Sequence, residues 1–322
     1  DKDAVIEAMD TETLYEIPLK FEQEGLSNLV MKRLGLQNGH SDMEDWKRVV
    51  DILKKPAHRA EVAIIGKYIG NGDAYISIAE AVKHGGIANN AGVKVTFIDS
   101  EDLSEDNVVE KLAGFDGIVV AGGFGGRGIE GKIAAVKYAR ESQTPFLGLC
   151  LGLQMAVVEV ARNVCGLEGA NSEEVDPQTP HPVIHLLPEQ QDVTYKGATM
   201  RLGVYPCRII DGTTACKLYQ DELIYERHRH RYEVNNAYRP HLERGGLICS
   251  GVSPDYRLVE IVELSGHPFF IATQFHPEFK SRPTNPHPLF AGLIAAALKK
   301  APVEAPSNDG KVKSKSKTAQ GT

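Results

Sequence analysis

The sequence predicts an α/β protein with a doubly wound, mostly parallel sheet and an antiparallel extension. Three observations carry that expectation. Apolar runs of strand length recur at 61–66, 93–98, 117–121 and 145–149, each separated from the next by enough chain for a crossover helix. Two of these runs feed directly into glycine-containing turns followed by helical patterns. From 199 to 275 strand-like runs follow one another with little helical pattern between them, which suits antiparallel pieces added to the sheet edge.

Taken in order, residues 1–55 carry a short Ile/Leu-rich helical pattern that breaks around Pro18 and is too small to form a domain alone. The chain opens on Asp1, and a truncated fragment is the simplest expectation. Residues 56–300 form the expected domain. In it, 61–66 reads as a buried strand, 74–90 as a helix and 93–98 as the next strand. The 117–121 strand leads into a glycine turn and a helix over 130–142, and a helix at 288–299 closes the domain. Residues 301–322 are rich in Pro, Ser, Lys and Asp without periodicity and read as a disordered tail.

Composition narrows the function classes. The 322 residues are 42% hydrophobic and 25% charged, ample for one sizeable core. The apolar runs are far shorter than a membrane span, and no signal-peptide pattern opens the chain. A net charge of −7 without a basic, aromatic-interleaved stripe argues against nucleic acid. Five cysteines, an odd number without framework spacing, point to a reducing, cytoplasmic compartment.

The chemistry concentrates at three places. Cys150 lies in a Gly-x-Cys-x-Gly pattern with Gly148 and Gly152, the cysteine form of a nucleophile elbow between strand and helix. A thiol there meets the positive end of the following helix, which favours the thiolate. His276 ends a run of bulky residues stopped by Pro277, and Glu278 is close enough to orient its imidazole. The Gly-Gly-Phe-Gly-Gly-Arg-Gly run at 122–128 follows a strand, and its backbone N–H groups suit an oxyanion hole. Two nucleotide readings of this run fail. The dinucleotide fingerprint expects an acid at the end of the next strand, where Leu149 and Cys150 stand, and the near P-loop has Ile133 in place of the magnesium-binding hydroxyl. The alternating His and Arg at 227–231 lack a Cys or carboxylate cluster at ligand spacing, so no metal is expected. As a strand they place Arg227, Arg229 and Arg231 on one face and His228 and His230 on the other.

In this order the glycine run, the Cys150 elbow and His276-Pro277-Glu278 resemble the class I (triad-type) glutamine amidotransferases, whose fold is flavodoxin-like. Further runs at 66–68, 73–77, 83–86, 199–203 and above all 226–236 resemble the glutaminase domains of the CTP synthases, over roughly residues 1–298. The resemblance implies that Cys150 attacks the glutamine amide, His276 is general base and acid, and Glu278 orients it. It implies an oxyanion site at Gly123 and Leu151, with Gly152, Leu153 and Gln154 beside the substrate. Glu174 would meet the glutamine ammonium and Arg231 its α-carboxylate, a pairing that suits a zwitterion.

Residues 1–55 then correspond to the end of a synthetase domain and its linker, and 56–300 to the amidotransferase. No cofactor is implied for glutamine hydrolysis. The full reaction implies ATP, Mg and UTP at a synthetase domain, GTP as allosteric activator, and a homotetramer. A cationic face near Met200 and Arg201 is a candidate for GTP. Two other readings stay open: a γ-glutamyl hydrolase-like enzyme, and an assembly or regulatory module with a silent triad.

Overall fold

The computed structural model describes residues 4–300 apart from 8, 37, 38, 40, 71, 72 and 187–199. Thr199 and the tail expected at 301–322 lie outside the described residues. Twelve strands are present among those described: β1 (His58–Gly66), β2 (Ala91–Asp99), β3 (Gly117–Val120), β4 (Phe146–Leu149), β5 (Asn171–Ser172), β6 (Pro182–Leu186), β7 (Arg201–Ile209), β8 (Leu223–His230), β9 (Tyr232–Val234), β10 (Leu247–Val252), β11 (Val259–Leu264) and β12 (Phe270–Thr273). The helices are α1 (Ile17–Gln23), α2 (Leu26–Arg33), α3 (Glu44–Lys54), α4 (Ile76–Ala88), α5 (Val108–Leu112), α6 (Ile129–Glu141), α7 (Leu151–Asn163), α8 (Thr214–Tyr219), α9 (Arg239–Arg244) and α10 (Pro288–Ala297).

Nine strands form one sheet in the order β2-β1-β3-β4-β12-β11-β10-β7-β8. The first five are parallel neighbours, and β11, β10, β7 and β8 add on antiparallel. The expected doubly wound sheet is thus present, with β12 joining its parallel half from far along the chain. A second sheet, β5-β6-β9, was not foreseen; its strands are only two to five residues long, too short to show a period.

Successive strand residues enter opposite cores. Ile118, Val120 and Phe146 pack with α5, α6 and α7, whereas Val119, Leu147 and Leu149 pack with α4 and α10. Burial on both faces is why these strands read as unbroken apolar runs. Phe146 stacks on Phe270 at 4.4 Å between ring centroids, fixing β4 beside β12.

The N-terminal pattern differs from expectation at one point. Pro18 does not break a helix but stands in the first turn of α1, where its missing N–H costs nothing. Residues before β1 are tied to the sheet's helices: Tyr15 donates to Glu80 on α4 at 2.6 Å, and Trp46 on α3 donates to Tyr15 O at 2.7 Å.

Candidate active site

Parallel strands deliver their carboxyl ends to one edge, and β3, β4 and β12 bring the three segments singled out from the sequence there. Cys150 follows β4 and caps α7 with φ at +53°, a left-handed conformation that is costly for a non-glycine residue. Its neighbours must be small. A Cβ on Gly148 would lie 2.8 Å from Ala272 Cβ and 2.9 Å from Gly152, and one on Gly152 would lie 2.2 Å from Val120 O. The elbow therefore depends on glycines touching both the sheet and each other. Cys150 N–H donates to Thr273 O at 2.7 Å, which anchors the turn to β12.

His276 follows β12, which stops at Thr273, three residues earlier than the run of bulky residues suggests. His276 N–H donates to Arg227 O at 2.8 Å, and Pro277 starts a short 3₁₀ turn that folds Glu278 back. The imidazole Nδ1 stands 2.8 Å from Glu278 Oε1. Burial opposes charge on His276, but the Cys150 charge and hydrogen bond, followed by those of Glu278, outweigh it and raise the imidazolium to about 11. Gly122 leaves the space between the partners: a Cβ there would lie 3.2 Å from His276 Cε1 and 3.6 Å from Cys150 Cβ.

The glycine turn is held from two sides. Lys67 Nζ donates to Phe124 O and to Gly125 O, the latter at 2.8 Å, and Gly125 N–H donates to Glu174 Oε1 at 2.8 Å. Lys132 on α6 is fully buried and donates to Ala121 O just before the turn. Burial, and then the Lys67 charge, lower its ammonium to about 7, while the Cys150 charge acts the other way.

One cleft brings together Gly123, Cys150, Gln154, Glu174 and Arg231, all expected from the sequence. Phe124, His230 and Tyr232 complete it and were not singled out, though each neighbours an expected residue in the chain. Leu151 opens α7, where the first N–H groups have no intrahelical acceptor, and its side chain neighbours Gly123. Gly152 and Leu153 line neither this cleft nor the adjoining one. Leu153 is fully buried in the core, and Gly152 is needed for packing. The adjoining cleft opens from Cys150, His276 and Glu278 toward Tyr68, Arg229 and Phe279.

The expected split holds within β8, where Arg227 and Arg229 are exposed beside Phe279 and Phe124 while His228 and His230 are buried. It does not extend to Arg231, which follows β8 at a bend and lines the same cleft as His230. Arg201 departs from the cationic face expected of it. Its guanidinium turns inward, 2.7 Å from Glu260 and 3.5 Å from Glu233, because two fully buried carboxylates need a cation. Among the described residues no His, Cys, Asp or Glu group is arranged to hold a metal, and no helix is long and apolar enough to cross a membrane.

Comparison with known proteins places this site in context. The family description "Glutamine amidotransferase class-I" matches residues 72–296. The chain is 57% identical over 296 residues to a CTP synthase of Caldanaerobacter subterraneus, covering 92% of this chain and 55% of the relative. It is 56% identical over 299 residues to a CTP synthase of Halalkalibacterium halodurans, covering 93% and 56%. The chain thus spans about half the length of the curated relatives it matches. Among solved structures, the glutaminase domain of Trypanosoma brucei CTPS with bound acivicin superposes with a TM-score of 0.70 at 40% identity, covering 76% of this chain and 96% of that one.

Proposed function

This chain belongs to the class I glutamine amidotransferases, and from that premise we propose that it is the glutaminase part of a CTP synthase. The observation that carries the reading is the cleft where Gly123, Cys150, Gln154, Glu174 and Arg231 meet beside the His276–Glu278 pair.

The chemistry follows from the positions. Cys150 gives its proton to His276 and its sulfur attacks the glutamine amide carbon. Backbone N–H groups of Gly123 and Leu151 receive the oxyanion. His276 returns the proton to the departing ammonia, leaving a glutamyl thioester that water then cleaves to glutamate. Nδ1–H of His276 donates to Glu278 throughout, which fixes the tautomer. Glu174 takes the substrate ammonium and Arg231 its carboxylate. No cofactor enters these steps.

Ammonia would pass to a synthetase domain that aminates UTP with ATP and Mg, in a cytoplasmic homotetramer. Residues 1–55 would be the end of that domain and its linker. GTP as activator would meet Arg227 and Arg229, whose guanidinium groups are exposed beside aromatic rings, rather than Arg201.

The test is substrate preference. Ammonia release from free L-glutamine, stimulated by GTP and losing that stimulation in the Arg227→Ala/Arg229→Ala double variant, supports the reading. Preferential cleavage of γ-glutamyl peptides would replace it with a γ-glutamyl hydrolase.

A further inference from the structure

Gln274 is fully buried one residue beyond β12, between the nucleophile and Gln154. Its backbone N–H donates to Glu260 O at 2.8 Å, which fixes where its side chain starts. The carboxamide Oε1 accepts from Gln154 Nε2 at 3.3 Å, and the same nitrogen donates to Tyr232 O at 3.0 Å. With Oε1 engaged, Nε2 faces the other way and lies 3.7 Å from Cys150 Sγ. An amide nitrogen donates two hydrogens and accepts none, so it has more to offer a thiolate than a thiol. A buried carboxamide is destabilising when left unpaired, so a Gln here is not neutral filling.

We propose that Gln274 is a catalytic residue that donates its carboxamide N–H to the Cys150 sulfur and stabilises the thiolate, with Gln154 setting the direction of the amide. His276 from the loop after β12 and Lys132 from α6 interact electrostatically with Cys150, and Glu174, Arg229, His230, Arg231 and Glu278 line the clefts it opens into. Gln274 carries no charge of its own, so its contribution changes only with the protonation of Cys150. The inference rests on Cys150 being the nucleophile, as read above, and not on which amide is cleaved.

The test is the rate of Cys150 alkylation by iodoacetamide across pH in the full chain, read by peptide mapping to separate it from the four other cysteines. Losing a hydrogen bond to a charged group predicts alkylation about tenfold slower near neutral pH in Gln274→Leu, with the profile moved to higher pH. Gln274→Glu should be slower still, since its carboxylate opposes the thiolate. A Gln274→Leu profile that superimposes on wild type overturns the proposal. Should that variant fail to fold, Gln154→Leu carries the test, because it removes the donor that orients the amide. It is expected to slow alkylation severalfold, and an unchanged rate overturns the proposal. Glutamine turnover is assayed in parallel. Normal alkylation without turnover removes the glutaminase reading and leaves the role of Gln274 standing.

Discussion

The backbone N–H of Cys150 donates to Thr273 O at 2.7 Å, so the turn bearing Cys150 is bonded to the strand that leads to His276. Residues 124 positions apart in the chain, Cys150 and Gln274, are thereby set side by side in the sheet's interior. The geometry of the pair is a property of the β4–β12 pairing and not of flexible loops.

If that scaffold sets the elbow, Gly152→Ala should disturb it. The new methyl would meet Val120 O at 2.2 Å, a backbone atom that cannot swing aside. Overpacking of this kind costs about 1–3 kcal/mol, read as a lower urea midpoint, and glutaminase activity should fall with it.

The surroundings of His276 predict how it titrates. Its value in the folded chain, about 11, lies above the ordinary 6.5. Its stabilising contribution is therefore fully present below about pH 6.5 and is lost as pH rises through about 11. Cys150→Ala removes the charge that does most to raise the imidazolium. The His276 ring resonances, followed by NMR, should then titrate at markedly lower pH than in wild type.

Glu278→Gln keeps the shape of the acceptor but removes the charge that faces the 2.8 Å contact with Nδ1. A loss of about 10²–10⁴-fold in kcat is expected, with KM little changed, because Glu278 lies in the adjoining cleft and not among the residues around Gln154, Glu174 and Arg231. Steady-state kinetics on glutamine would read the split.

Arg201 predicts a stability effect in place of an effector effect. Burial opposes charge on Glu260, but the hydrogen bond and charge of His228, followed by those of Arg201, overcome it and hold the carboxyl well below the usual range. Burial lowers His228's own basicity, while its hydrogen bond to Glu260 at 2.8 Å acts the other way. Removing one partner of a buried pair costs about 3–5 kcal/mol, so Arg201→Met should lower the urea midpoint sharply at pH 7. A depressed carboxyl contributes its stability above its unfolded value, near 4.5, and loses it as pH falls through the folded one. The gap between wild type and variant should accordingly narrow in acid.

Much of this was legible because the signals are local. Continuous apolar runs marked β1 to β4, and glycines at 148 and 152 marked an elbow whose tight packing the structure explains. Gln154, Glu174 and Arg231 sit in the cleft as the resemblance implied, but nothing in their immediate sequence separates them from surface residues. Lys67, Lys132 and Gln274 were passed over. Each works through a backbone or side-chain atom between 11 and 124 positions away in the chain, and no periodicity records such distances. Arg201 was misplaced for the same reason, since its carboxylate partners come from β9 and β11.

The central claim is that Cys150 forms a covalent glutamyl intermediate. The most direct measurement is intact-mass and peptide-mapping analysis of the full chain, acid-quenched during turnover of saturating L-glutamine, beside Cys150→Ala. The account predicts one glutamyl group on Cys150 in the wild type and neither adduct nor ammonia release in the variant. Ammonia release that persists in Cys150→Ala, or an adduct mapping to another cysteine, would contradict it.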